Sequence, residues 1–490
     1  MRLLIPFAIS LFSAGAVCIP ADGKIRRFIF GAGAILSSIA AIAIAEPVLV
    51  SGTELIWGPL RLDRFAAYVI CLVALVAALA ALASVRYLAH GEKEHAISPV
   101  AERAYCAFFP LFVLSMWTAA AADNLALLWI ALESTTLTTT LLVAFDRTHG
   151  AVEAAWKYII ICSTGIILGL LGVLMLIHAA AGADLGAGAL AFSSLRAHAG
   201  ALSAETLKWA FVFLFIGVGT KVGFVPMHTW LPDAHSKTPA PISAMLSGIL
   251  LNVAFVVLLR AKSVVDAALT SSAWTGTFFL VFGILSILLP AFILLVQKNY
   301  KRMLAYSSVE HMGLMAFAVG LGPFGIVPAT MHMAGHALCK PALFIGAGEI
   351  LHDSHTTSID TIQGVIDRLP KTGVLFFTAL LALLAAPPSA LFMSEFLITS
   401  YGMTMHPVLT LVVLTLLVIA SFAMMRSVVG MLFAPTHENE THAAMVKTPE
   451  KWNLTNIVML IDIILCIAFG IALLSGQGLH FFTALTQSII

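Results

Sequence analysis

Long apolar runs, each about the length of a bilayer crossing, follow one another from end to end of the chain and are separated by short polar breaks. A helix needs roughly 20 mostly apolar residues to span a membrane, and about fourteen such runs can be drawn. They lie near 3–20, 28–50, 64–88, 104–122, 124–145, 154–179, 207–228, 240–260, 274–297, 303–321, 324–350, 373–399, 406–434 and 452–477. The fourth and fifth nearly merge, with only Asp123 and Asn124 to mark a turn. The seventh is interrupted from within. In GVGTKVGFVPMHTWLPDAHSKTPAP, Gly217 to Pro241, a lysine (Lys221) stands in the closing third of a run that opens near Leu207, and Pro226 breaks the run soon after. Pro232 and the polar residues Asp233, His235 and Lys237 follow, and Pro239 and Pro241 introduce the next run. A second interruption is expected at Pro387–Pro388 in the twelfth run. Proline removes a backbone donor and ends a helix, which membrane-embedded protein tolerates mainly where the break is buried or lines a cavity. A charge beside a broken intramembrane helix therefore points to an ion path.

Composition agrees with the pattern. Of 490 residues, 60% are apolar and only 10% charged, with mean hydropathy +1.00. Length alone would allow several soluble domains, but such a chain lacks the polar surface to cover a soluble globule. A net charge of +1 gives no reason to expect nucleic acid as a partner. The cysteines Cys18, Cys71, Cys106, Cys162, Cys339 and Cys466 are scattered, and no CxxC occurs. No disulfide framework, iron–sulfur site or other cofactor is expected in this chain. Met1 to Pro20 reads as a retained first helix rather than a cleaved signal.

Basic residues favour an orientation with both termini outside: about sixteen Lys and Arg, Lys301 among them, then fall in cytoplasmic loops and about seven, including Arg260 and Lys262, outside. No loop is long enough to fold as a domain. The longest, about 180–206, is Ala- and Gly-rich and is expected on the outer surface. His437 and His442 in one polar loop, and His352 and His355 in another, could suggest a metal; solvated surface histidines are the plainer reading, and no metal site is expected.

The informative residues are the ionisable ones inside spans. Glu133 lies in the fifth, Lys221 in the seventh, His311 with Glu310 in the tenth, His332, His336 and Lys340 in the eleventh, and Glu395 in the twelfth. Residues four apart share a helix face, so His332, His336 and Lys340 form one stripe, with neighbours about 6 Å apart along the axis. Intramembrane chains of Asp, Glu, His and Lys serve as proton relays, and histidine titrates nearest neutrality. Singly, each has a structural reading: a histidine bonded to a neighbouring carbonyl, or Glu133 and Lys221 as a static ion pair. Together they exceed what helix packing requires.

At these residues the sequence resembles the antiporter-like membrane subunits of respiratory complex I, Mrp-type cation/proton antiporters and membrane-bound hydrogenases. The resemblance rests on WIALE at 129–133, GTKVGFVPMHTWLPDAHSKTPAPISAMLSG at 219–248, KRMLAYSSVEHMG at 301–313, HMAGHALCKPALFIGAG at 332–348 and the stretch from Pro387 to Phe396. The stretch ALESTTLTTTLLVAFDRTHGAVEAAWKYIIICS is most like the hydrogenase-4 component F branch, with its formate-hydrogenlyase-type relatives.

The resemblance implies an all-α polytopic membrane protein of about fourteen transmembrane helices. Two inverted five-helix repeats, at 104–262 (helices 4–8) and 263–434 (helices 9–13), have helices 7 and 12 broken. They are flanked by residues 1–103 and by a polar loop and last helix, 435–490. It also implies that Glu133 and Lys221 form a coupled pair, that His311, His332, His336 and Lys340 belong to a central hydrophilic axis, and that Glu395 is an exit residue. One departure stands out. Where several members carry a lysine or histidine in the eighth helix, this chain has Asn252, so the relay would need His235, water or direct transfer towards His311; His228 is a further possible relay. The expected function is proton translocation within a multi-subunit redox complex of the bacterial-type inner membrane, with other membrane and peripheral subunits, lipid and protons as partners. The alternatives are a cation/proton antiporter or gradient-driven uptake subunit, and a structural membrane anchor.

Overall fold

The computed structural model describes residues 2–19, 22–94, 97–181, 185–435 and 450–487, and nearly all of them are helical. Helices α1 (Ile5–Ala16), α2 (Gly23–Ser51) and α3 (Arg64–Lys93) come first, with a small hairpin of β1 (Leu55–Trp57) and β2 (Leu60–Leu62) before α3. Then follow α4 (Pro99–Ala121), α5 (Leu125–Val143), α6 (His149–Ala181), the short α7 (Phe192–Ala197), α8 (Ala204–Val222) and α9 (Trp230–Lys237). Helix α10 (Ala240–Met245) passes through a π-helical turn, Leu246–Leu250, into α11 (Leu251–Leu269). The second half contains α12 (Ala273–Val296), α13 (Tyr300–Gly320), α14 (Ile326–Ser354), α15 (Val365–Arg368), α16 (Pro370–Leu383) and α17 (Ala390–Met405). It closes with α18 (Pro407–Phe433), α19 (Leu454–Leu474) and α20 (Gly476–Gln487).

Polar residues in the sequence breaks mark where helices begin. Asp63, Ser98, Asn124, Ser203, Asn299, Ser389 and Asn453 each accept a hydrogen bond from the backbone N–H three residues on. Each such cap contributes about 1 kcal/mol. Asp123, expected only to mark a turn, also fastens the outer segment: its carboxylate accepts from Ser193 N at 3.0 Å and Ser193 Oγ at 2.5 Å. The stretch after α6 is thus not merely a surface loop. It folds into short helical turns that bury Phe192 and Leu195.

Ten helices among the described residues are long and apolar enough to cross a membrane. The apolar middle of the continuous segment Ala240–Leu269 is wholly buried, whereas α2, α12 and α18 leave much of their apolar length uncovered. Phe28, Leu36, Ile39, Phe292, Val418 and Phe422 are exposed, as expected of surfaces facing lipid. Helices α13 and α14 are not among the ten, because they carry the polar side chains described below.

Close packing of α6 on α8 relies on glycine. A Cβ on Gly217 would stand 2.4 Å from the Gly169 nitrogen, and one on Gly165 would stand 2.7 Å from Thr220 Cβ. Small residues spaced four apart let membrane helices approach in this way.

Three expectations are corrected. The seventh span ends at Val222, before Pro226: Gly223 adopts φ 88°, and the N–H groups of Gly223 and Phe224 both reach the Gly219 carbonyl. A left-handed glycine, not the proline, stops this helix. The eighth span runs on past Arg260 to Leu269. Arg260 and Lys262 are therefore buried helix residues rather than loop charges: Arg260 pairs with Asp63 at 3.3 Å, and Lys262 pairs with Asp266. Lys301, assigned to a loop, is also buried and donates to the Thr238 carbonyl at 2.9 Å. His437 and His442 lie outside the described residues.

Candidate functional site: a buried polar axis

Lys221 sits at the C-terminal end of α8, fully buried. Desolvating an ammonium is costly unless its donors are satisfied, and here hydroxyls provide the partners. Nζ donates to Thr136 Oγ1 at 2.7 Å and to Tyr158 Oη at 2.9 Å. Tyr158 Oη is in turn 2.7 Å from Thr139 Oγ1, and Thr139 donates to the Thr135 carbonyl at 2.5 Å. Having accepted from Lys221, Tyr158 has its own proton free to donate to Thr139. The threonine run of α5 thus forms a short hydroxyl chain facing the lysine.

Glu133 does not touch Lys221 directly. It is half-buried, one turn before Thr136 on α5, and its Oε1 accepts from Ser163 Oγ at 2.7 Å while Oε2 has no partner. No ion pair joins the two among the described residues. Thr136, three residues on and on the same side of α5, makes the contact with the lysine instead. The family resemblance implies a coupled Glu133–Lys221 pair, but it does not disclose the hydroxyl that makes the contact with the lysine.

Beyond Tyr158 the interior is lined with rings. Tyr158 packs on Trp230 with centroids 4.9 Å apart, and Trp230 anchors itself by donating Nε1–H to the Thr220 carbonyl at 2.8 Å. His235 lies next, 5.9 Å from Trp230 and 5.8 Å from Phe344, ring centre to ring centre. Phe344 is one turn past Lys340 on α14, so His235 reaches from α9 to the His332–His336–Lys340 stripe. It is fully buried, and neither ring nitrogen has a protein partner. His228, also buried, lies 6.2 Å from the Tyr306 ring and leaves Nδ1 unpartnered.

The second half of the axis runs from Lys340 towards Glu395. Lys340 Nζ donates to the Leu304 carbonyl at 2.9 Å and to Ser307 Oγ at 2.5 Å, both on α13. His336 is fully buried with both nitrogens unpartnered, its ring 5.5 Å from that of His311. His311 Nδ1 lies 2.9 Å from His332 Nε2, and His332 Nδ1 lies 3.0 Å from Ser394 Oγ on α17. Ser394 donates its own proton to the Leu391 carbonyl at 3.0 Å. It must therefore accept from His332 Nδ1–H, which leaves His332 Nε2 to accept from His311 Nδ1–H. One ligating atom each from His311, His332 and Glu395 lies within 4.8 Å of the others. Glu310 is buried on the same helix as His311.

Asn252 plays a bracing part. Its Nδ2 donates to the carbonyls of Gly248, at 2.8 Å, and Met333, at 3.3 Å, tying α11 to α14 beside the π-helical turn. Sequence reasoning missed Thr136, Tyr158 and Ser394, whose small hydroxyls carry no hydropathy signal. It also missed Asp462, fully buried on α19 with both carboxylate oxygens unpartnered. A lone carboxylate amid LTNIVMLIDIILCIAFG was the available clue.

These features define a polytopic membrane protein built around an internal polar axis that crosses two broken helical segments. Residues 122–422 match the family described as NADH:quinone oxidoreductase/Mrp antiporter, TM, and the chain belongs to that family. The hydrogenase-4 component F homolog of Methylacidiphilum infernorum (isolate V4) is 36% identical over 375 residues, covering 76% of this chain and 78% of that protein. Two solved structures share the fold. The match to the membrane-bound sulfane sulfur reductase, an archaeal respiratory membrane complex, has a TM-score of 0.85 at 22% identity and covers 100% of this chain and 96% of that one. The match to the Mrp complex of Dietzia sp. DQ12-45-1b has a TM-score of 0.83 at 18% identity and covers 99% of this chain and 96% of that one.

Proposed function

We propose that this chain is the proton-translocating, antiporter-like membrane subunit of a multi-subunit redox complex of hydrogenase-4, formate hydrogenlyase or complex I type. The direct contact of His311 with His332 between α13 and α14 carries this reading. Two facing imidazoles joined through their nitrogens pass a proton by exchanging donor and acceptor roles. Lys221 is the loading site. Glu133 acts on it through space, and the hydroxyls of Thr136 and Tyr158 hold the ammonium when it is charged. The proton then moves by way of His235 to His336 and Lys340, through His311 and His332, and leaves beside Glu395. Water completes the steps at His235 and His336, whose four ring nitrogens have no protein partner. His228 serves as a side entrance.

In this reading the chain crosses the membrane about fourteen times. Residues 104–262 and 263–434 form two inverted five-helix units, flanked by 1–103 and 435–490. The breaks between α8 and α9 and between α16 and α17 fall in the fourth helix of each unit, which favours the division. Both termini face outward from a bacterial-type inner membrane. The driving redox reaction belongs to partner subunits.

The experiment is dye-quenching of proton uptake in proteoliposomes containing the assembled complex, with sodium present or omitted. Uptake independent of sodium supports the reading, since the axis is built mainly on lysine and histidine nitrogens and offers few carboxylates, whereas sodium needs several oxygen ligands. Uptake that requires sodium replaces it with cation/proton exchange. Normal turnover without any proton uptake points to a membrane anchor.

A further inference from the structure

Away from the axis, three side chains from two helices converge at one exposed point. His90 lies in the last turn of α3, and Glu94 caps that helix one turn later. His352 lies in the last turn of α14. The Nε2 atoms of His90 and His352 are in direct contact, and Glu94 Oε1 is 2.9 Å from the first and 3.6 Å from the second. The three donor atoms all lie within 4.8 Å of one another. His355, three residues after His352, has its ring centre 6.4 Å from that of His352 and is not one of the three.

The convergence is held in place from below. One turn deeper, Arg86 of α3 makes a two-pronged pair with Glu349 of α14, at 3.2 and 3.0 Å, and Asn453 donates to the same carboxylate at 3.3 Å. This inner rung fixes the register of the two helices. Positions 90 and 94 then share a helix face and point across at 352.

We propose that His90, Glu94 and His352 form a binding site for a zinc-class divalent cation that clamps the end of α3 to the end of α14. Two imidazoles and a carboxylate are a ligand set that zinc accepts, with a fourth position left to water. Side-chain exposures of 40, 53 and 48% leave that position open and give a hydrated ion access. Hard cations such as magnesium and calcium, which want oxygen ligands, do not suit it. The clamp is twelve residues beyond Lys340, about 18 Å along α14. An ion there fixes one end of the helix that carries His332, His336 and Lys340. The site stands apart from the proton-translocating reading and does not depend on it.

The test is titration of the purified full-length protein, prepared without tag histidines, with Co2+ near neutral pH. Optical absorption reports low-coordinate Co2+, and Zn2+ is added as competitor. The parent is expected to show a saturable cobalt band that zinc abolishes and magnesium does not, together with a higher unfolding temperature in zinc. Outer-sphere substitutions alone weaken metal sites by about 10–100-fold, so Glu94→Gln, His90→Ala and His352→Ala are each expected to weaken binding at least that much. His355→Ala is expected to bind like the parent. Glu94→Gln is a mild exposed change that keeps the fold, so its result can be read even if a histidine variant misfolds. Absence of a cobalt band in the parent overturns the proposal, and so does equal binding in the Glu94→Gln and His352→Ala proteins.

Discussion

His311 Nδ1 lies 2.9 Å from His332 Nε2, so the imidazole of α13 meets the imidazole of α14 with nothing between them. Ser394 Oγ accepts a hydrogen bond from His332 Nδ1–H, which fixes the direction in which the pair is polarised. His332→Gln keeps a donor for Ser394 but cannot be protonated and released. Proton movement by the complex is expected to fall roughly 100-fold, the scale of a lost proton-transfer group, with assembly intact. Vesicle acidification rates check this, and a rate near that of the parent contradicts it.

Lys221 is held by two hydroxyls rather than by a carboxylate. Tyr158→Phe removes one acceptor from a fully buried ammonium and breaks the link to Thr139. The loss is expected to destabilise the protein by about 1–3 kcal/mol. Thermal unfolding in detergent measures it, and Thr136→Val is expected to behave alike.

Substitution at Gly217 probes the α6–α8 contact that holds Lys221 in place. Even the single methyl of Gly217→Ala would meet the Gly169 nitrogen at 2.4 Å, a backbone atom that cannot swing aside. Overpacking of this kind costs about 1–3 kcal/mol or more. A lower unfolding temperature for Gly217→Ala, and loss of folded protein for Gly217→Leu, are the expected outcomes.

His235 and Asn252 separate a relay from a brace. His235→Phe fills the same space without a titratable nitrogen and is expected to slow proton movement by roughly 100-fold. Asn252→Ala loses hydrogen bonds to Gly248 and Met333. It is expected to leave proton movement within about twofold of the parent while lowering stability by about 1–2 kcal/mol. The reverse pattern would move the relay to α11.

Much of this was legible in the sequence because the bilayer imposes a length and a polarity rule that few residues break. Apolar runs give the helices, and the exceptions Lys221, His311, His332, His336, Lys340 and Glu395 all fall along one interior. What the sequence could not convey was contact. The family resemblance implies a Glu133–Lys221 pair, but hydroxyls contact the lysine instead, and threonine, neutral in any hydropathy pattern, gives no sign of this in the sequence. Proline is the stronger breaker, so the sequence points to Pro226 as the end of the seventh helix, yet Gly223 ends it earlier by leaving the right-handed region. Lys301 looked like a loop charge because its partner, the Thr238 carbonyl, is distant in the chain. His90 and His352 are 262 residues apart, and only the packing of α3 on α14 brings them together.

The central claim is that Lys221 loads the proton. Lys221→Ala in the assembled complex, reconstituted in proteoliposomes, tests it most directly when proton uptake and redox turnover are followed together. The account predicts that the complex assembles and proton uptake per turnover falls sharply. Uptake per turnover equal to that of the parent would contradict it.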